Sequence, residues 1–340
     1  MIYACLMLSS AQNNSIEPPN VLEAINVCRE KLEVDPHFPR IQYALAQLLD
    51  SQISTPIGRL DDSSLVHEVL NLYHAVGEPS SHVTEKRRPP TQLRFDSLAR
   101  AGTIAKDILH DKRQAIEYYT LAMNLDGIDN ASILVAFQTI MPMLLSLLKS
   151  DLGDVTIAPD GKIHIDSPSQ NQLIQNALDA CNLVERNCPS ESIVDEYRGA
   201  ILRIVKQPEL AYQSYLRALE KSKQCLKDDE SKSDLQLANF VRTSILVAAA
   251  AREAGYDYQK QISYLNVAER AMAPLLASMD EQSDTIREQI VDLYNNMGIT
   301  EKKHGSTKTA RDLFKRSLEI NPTDGHALVQ LASITALFPV

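Results

Sequence analysis

Residues 293–332 read LYNNMGITEKKHGSTKTARDLFKRSLEINPTDGHALVQLA. When positions are numbered from Val291, small residues occupy positions 8, 20 and 27 and bulky residues occupy positions 7 and 24: Gly298, Ala310, Ser317, Met297 and Phe314. Small side chains let two antiparallel helices approach closely, and the bulky ones fill the remaining space, so this pattern predicts a packed helical pair. Gly305 permits the turn between the helices, and Pro322 ends the second one.

Weaker copies of the same spacing lie upstream. They contain, in chain order, Ala24 and Pro36; Leu45 and Ala46; Ala115, Tyr119 and Ala122; and Gly199, Ala211, Tyr215 and Ala218. A further copy around Ala248 and Gly255 lacks a small residue at the expected place. Because only the unit at 291–324 is complete and the distances between helices vary, we expect an irregular repeat array.

This spacing resembles the tetratricopeptide-repeat (TPR) family over most of the chain. The resemblance implies an all-α fold, an irregular, right-handed, TPR-like helical solenoid. We expect an N-terminal TPR-like region at 1–151 and a C-terminal one at 167–340, which together form one continuous solenoid. Residues 152–166 separate them.

The separating segment has the pattern of a β-hairpin near 155–165. Val155–Ala158 and Ile163–Ile165 contain β-forming residues, and they flank the turn sequence Pro159-Asp160-Gly161-Lys162. A two-stranded ribbon is marginal by itself, so we expect it to pack on a helix. Two interpretations stay open: an insertion tolerated between helical pairs, or a contact with a partner.

Composition and charge limit the possible partners. The chain has 340 residues and a net charge of −10, which argues against general nucleic-acid binding because phosphate contacts need clustered cations. The one basic run, Lys86-Arg87-Arg88, precedes two prolines and is predicted to be a solvated loop. The five cysteines contain no Cys-x-x-Cys motif, and their odd number favours reduced thiols. We therefore expect an intracellular, cytoplasmic protein.

Two apolar segments raise the question of a membrane. Met1–Ser10 has no preceding Lys or Arg, so a first helix is the better interpretation than a signal peptide. Ala131–Leu148 has no charge but includes several polar residues, and we expect a buried helix kinked at Pro142. The sequence thus predicts no membrane segment.

A search for catalytic motifs finds no phosphate-binding loop, no dinucleotide fingerprint and no nucleophile elbow. His67 and His74 could share a helix face but have no evident third metal ligand. We predict that the chain is not an enzyme and uses no cofactor or metal. Two alternatives remain: a regulatory or substrate-recruiting segment of a larger enzyme, and an enzyme with an unrecognised site.

The TPR resemblance implies a different kind of site. In that family, positions 2, 5, 6, 9, 12 and 13 of each first helix line a concave groove that binds a peptide or helix of a partner protein. Carried over to three repeats, these positions give the candidate partner-binding residues Arg40, Tyr43, Gln47, Glu196, Tyr197, Arg203, Asn295, Asn296, Lys302 and Lys303. The expected function is a protein-interaction scaffold.

The end of the chain is also a candidate contact surface. Apolar residues between His326 and Val340 are too many for one helical stripe, and no charged residue follows Asp324. Because a terminal solenoid helix lacks a neighbour on one side, we expect an apolar end surface that is covered. The candidates are a second copy of the chain, so that self-association uses the C-terminal helix, a partner, or a downstream domain. The alternative is that the tail folds back on its own solenoid.

Overall fold

The computed structural model describes residues 21–53, 63–151, 156–157, 163–164, 168–228, 234–276 and 284–337. Within these ranges the chain forms fourteen α-helices, one short 3-10 helix and two short strands. It divides into two compact units, Met1–Ser146 and Leu147–Val340. The predicted first helix at Met1–Ser10 lies outside the described residues.

The first unit is a succession of helices in which α1 to α4 each pack against the following one. The helices are α1 (Val21–Val34), α2 (Pro39–Ile53), α3 (Ser63–Gly77), α4 (Thr91–Asp107), α5 (Lys112–Met123) and α6 (Asn130–Asp151), which continues past the unit boundary. Glu85–Arg87 form the 3-10 helix before α4. The basic run predicted as a solvated loop is therefore structured in part, and Arg87 pairs with Asp35 at 2.6 Å.

The second unit begins near the predicted hairpin. The elements are β1 (Thr156–Ile157), β2 (Ile163–His164), α7 (Pro168–Asn187), α8 (Ser192–Ile204), α9 (Pro208–Asp228), α10 (Asp234–Glu253), α11 (Tyr258–Leu276), α12 (Asp284–Lys303), α13 (Thr307–Ile320) and α14 (Gly325–Leu337). β1 and β2 pair antiparallel, Thr156 opposite His164. The turn predicted between them lies outside the described residues.

Pairs of neighbouring helices meet where a glycine faces an aromatic ring. At Gly298 in α12, an added Cβ would lie 2.8 Å from the ring of Phe314 in α13. Two glycine–tyrosine pairs are arranged in the same way. An added Cβ would lie 2.7 Å from the tyrosine ring at Gly199, which faces Tyr215, and at Gly102, which faces Tyr119. Since real Cβ atoms do not approach so closely, only glycine lets these rings lie against the first helix.

Turn length explains why some repeats looked incomplete in the sequence. The α12–α13 turn spans 304–306, whereas the α4–α5 and α10–α11 turns span 108–111 and 254–257, one residue longer. The longer turn shifts the second helix by one position, so that Tyr119 follows Gly102 by seventeen residues. In the copy around Ala248, the missing small residue is Ala268, which is fully buried one position later than expected.

Successive pairs in the second unit stack through their first helices, because α8 contacts α10, α10 contacts α12, and α12 contacts α14. A buried cluster joins α10, α11, α12 and α13, with Leu265, Ile290 and Leu293 at most 1% exposed. Each unit is thus built of TPR-like helical pairs, in agreement with the all-α fold predicted from the sequence.

Helix α6 is both long and strongly apolar. Asn130–Ser150 is long and apolar enough to cross a membrane by length and composition, with a mean hydropathy of 1.9. One face is buried, including Phe137, Ile140 and Met141, whereas Val135 is 63% exposed. The helix runs through Pro142, which is exposed. The predicted burial therefore applies to one face of α6.

Candidate partner-binding site

A cleft of about 390 Å³ lies between α2, α3 and α4 of the first unit. Its walls are Tyr43, Gln47, Asp50, Ser51, Tyr73, Asp96 and Arg100. Tyr43 and Gln47 are two of the residues predicted for partner binding, at positions 5 and 9 of their repeat. Arg40, the third predicted residue in this helix, is exposed but is not part of the cleft wall.

The floor of the cleft is a polar cluster in which Asp50 and Tyr73 are buried and Arg100 is partly exposed. Arg100 donates from Nε to Asp50 Oδ2 at 2.6 Å and from Nη2 to Asp50 Oδ1 at 2.7 Å. The Tyr73 hydroxyl donates to Asp50 Oδ2 at 3.1 Å, and burial together with Asp50 raises the pKa of that phenol. The two-pronged guanidinium contact neutralises Asp50 and fixes α2 to α4.

Asp50 belongs to a contact that recurs between repeats. It occupies position 12 of its repeat, and the same position in the second unit is a cation each time: Arg203, Arg252 and Lys302. Each of these side chains forms hydrogen bonds with the first helix of the following repeat. The contacts are Arg203 to Glu253, Arg252 to Asn296 (3.2 Å) and Thr300 (3.4 Å), and Lys302 to Gln330 (2.9 Å) and Ser333 (2.6 Å).

These links bear on three residues predicted to contact a partner. Arg203 donates from Nε to Glu253 Oε2 at 2.8 Å, Asn296 accepts from Arg252, and Lys302 donates to α14. In the structure all three connect successive first helices of the same chain. Sequence reasoning missed this role, although the recurrence of a charged residue at position 12 was visible.

In the second unit, the side chains at position 5 also bond to other residues of the same chain. Glu196 is buried, accepts from Thr243 at 2.8 Å and pairs with Arg242 at 2.9 Å. Burial raises the pKa of Glu196, while Arg242 opposes the shift. Asn295, also buried, donates to Asp324 at 2.7 Å. Although burial acts against it, this bond helps hold the pKa of Asp324 below its usual value.

The remaining predicted residues are more accessible. Tyr197 is half-buried and Lys303 is exposed. At the C-terminal helix α14, Leu328 is 47% and Val329 is 65% exposed, so part of the expected apolar end surface is present. Residues 338–340, which the fold-back alternative involves, lie outside the described residues. Self-association stays a prediction.

An ion cluster that the sequence did not predict lies between α8 and α9. Asp195 is fully buried and pairs with Arg198 at 3.2 Å, Arg217 at 3.0 Å and Lys221 at 2.8 Å. Arg198 also pairs with Glu185 of α7 at 2.7 Å. Asp195 therefore joins α8 to α9, and Glu185 extends the cluster to α7.

Three of the described cysteines are buried, and the described ranges contain no cluster of metal ligands. There, no group of three or more His, Cys, Asp or Glu side chains is arranged to hold a metal ion. Cys28, Cys181 and Cys188 are buried thiols rather than disulfides, and burial raises the pKa of the Cys181 thiol to about 12. A thiol with such a pKa is not a reactive nucleophile at neutral pH.

Comparisons with known proteins give structural neighbours alone. No model of a protein family matches the chain, and no curated protein matches it. The C-terminal part of a TPR repeat-containing protein from Cytophaga hutchinsonii is 14% identical, with a TM-score of 0.49, 97% of this chain covered and 98% of that one. Yeast Tom70 is 14% identical, with a TM-score of 0.44 and coverages of 93% and 58%.

A third solved structure is the APC/C hetero-tetramer Cut9–Hcn1, at 13% identity and a TM-score of 0.43, with 92% of this chain and 52% of that chain covered. At these identities and scores the neighbours add no argument of their own. The TPR-like assignment stands on the glycine–aromatic helical pairs and the stacking of first helices within this chain.

Proposed function

We propose that this protein is an interaction scaffold that holds a peptide or helix of a partner protein against the first helices of its TPR-like pairs, in the cytoplasm. One observation carries the proposal. Tyr43 and Gln47, placed in a groove by their repeat positions alone, line a real cleft together with Asp96 and Arg100 of the next first helix.

The cleft has the properties that a peptide site needs. It is open to solvent, it combines tyrosine rings with polar side chains, and its floor is held by the Asp50–Arg100 pair. A preorganised floor lowers the entropy that binding must spend on ordering side chains. The equivalent surfaces of the second unit have more of their polar groups bonded internally, so we place the main contact in the first unit.

A second class of function is compatible with the same cleft. A regulatory or substrate-recruiting segment of a larger enzyme would use the same cleft to hold a substrate protein. The two differ in what is joined to this chain rather than in the chemistry of the cleft.

The variant Gln47→Arg tests the proposal. The longer, charged side chain should fill the cleft and reduce capture of a specific cytoplasmic protein from native lysate by about tenfold, the scale of losing one central interface contact. Quantitative mass spectrometry of the captured proteins measures the effect. The matched control is Gln259→Arg, the same substitution at an exposed site on α11, the second helix of its pair. Equal losses for both variants, or no loss for either, would contradict the proposal.

A further inference from the structure

We infer that the cleft of the first unit is a subsite for a lysine or arginine side chain of the bound partner, an inference that rests on the proposed function. The cleft contains three charged groups, Asp50, Asp96 and Arg100. Arg100 is engaged with both oxygens of Asp50. Asp96 is left as the negative charge that a ligand would meet.

Asp96 stands at position 2 of its repeat, where the second unit has the cation Arg242. Where position 5 of one repeat faces position 2 of the next, Glu196 is neutralised by Arg242 at 2.9 Å. In the first unit these two positions are Tyr43 and Asp96. Asp96 is exposed, accepts a hydrogen bond from Gln92 at 2.9 Å, and forms no ion pair with any residue in the described ranges. A cation from the partner would supply the opposite charge that Tyr43, the residue at position 5, does not provide.

The walls beside Asp96 also favour a cation. Tyr43 is half-buried and stands edge-on to Tyr73, with ring centroids 6.1 Å apart, so an aromatic surface borders the carboxylate. The face of a tyrosine ring attracts ammonium and guanidinium groups. Ser51 donates its hydroxyl hydrogen to Leu48 O at 2.6 Å, which leaves the hydroxyl oxygen as an acceptor. A volume of about 390 Å³ accommodates one long basic side chain.

An anionic ligand fits these observations less well. The one cation in the cleft wall, Arg100, already donates from Nε and Nη2 to a carboxylate. A phosphate or carboxylate would meet a guanidinium whose charge Asp50 already neutralises, and it would lie near Asp96. Because like charges at short range repel, the geometry favours the basic side chain.

Selection from a random peptide library on the immobilised full chain tests the subsite. We expect peptides that share one Lys or Arg at a fixed place in their motif. Synthetic copies should bind Asp96→Asn about fivefold more weakly than the wild type, the scale of one partly exposed ion pair. Tyr43→Leu should weaken them similarly, and replacing the fixed basic residue with Met should remove the difference between wild type and Asp96→Asn. The control Asp126→Asn makes the same charge change at an exposed site after α5 and should leave affinity unchanged.

The outcomes separate the subsite from the function on which it rests. A motif without a fixed basic residue, or equal affinity for Asp96→Asn and wild type, would overturn the subsite while peptide binding stands. Failure to select any peptide, or peptides whose binding ignores Gln47→Arg, would overturn the proposed function and the subsite with it. Unchanged melting temperatures of the variants show that each one is folded.

Discussion

Replacing Phe314 with alanine should lower the free energy of unfolding of the second unit by about 3–5 kcal/mol, the usual loss when a buried phenylalanine is truncated. The ring is fully buried in a cluster that includes Ala310, Ala327 and Ile334, and it lies against the backbone of Gly298. Its removal leaves a cavity that two rigid helices cannot close. Urea denaturation followed by circular dichroism measures the change.

A second substitution, at Gly298, shows whether the loss of stability comes from the contact between the Phe314 ring and this glycine. Gly298→Ala alone should cost about 1–3 kcal/mol, because its Cβ would overlap the Phe314 ring. In the Phe314→Ala background the same change should be nearly neutral, since the ring is gone. The exposed Val329→Ala is the control and should stay within about 0.5 kcal/mol. Additive effects of the two core changes would mean that glycine and ring do not touch.

Replacing Asp195 with alanine should cost about 3 kcal/mol, near the lower end of the range for breaking a buried ion pair. Asp195 is fully buried among Arg198, Arg217 and Lys221, and its loss leaves their charges facing one another. Arg217 is half exposed and can turn toward water, which limits the cost. Thermal and urea unfolding measure the loss.

The control for this change is Asp179→Ala on α7, where the carboxylate is exposed and the expected effect is below about 0.5 kcal/mol. If both variants unfold at the same urea concentration, the three cations do not depend on Asp195. The inference that this cluster joins α8 and α9 would then be wrong.

The helical pairs could be predicted because their packing uses residue size at fixed spacing. Gly298 and Phe314 were identifiable since glycine and a bulky ring sixteen positions apart fit only one arrangement of two helices. Gly102 was missed, and Ala268 with it, because one extra turn residue moves the register of the second helix. Turn length depends on local backbone conformation. His110, for example, adopts a left-handed conformation that a histidine in the sequence does not predict.

The candidate site was less predictable than the fold. Repeat positions alone assigned Tyr43 and Gln47 to a groove, and both residues line the cleft. The same rule also selected Arg203 and Lys302, which bind neighbouring helices instead. Whether a polar side chain faces a partner or the next repeat depends on which residues lie across the interface. Those residues are about 30 to 50 positions away in sequence, and a single sequence does not pair them.

Site-specific photocrosslinking tests the proposed scaffold function most directly. A photoreactive amino acid replaces Gln47 in the cleft or, as the matched control, Gln259 on α11, and the crosslinked peptides are identified by mass spectrometry after irradiation in cells. We predict that the residue at 47 crosslinks reproducibly to one short segment of another protein and that the residue at 259 does not. Equal, diffuse crosslinking at both positions, or none at 47, would contradict a partner-binding cleft.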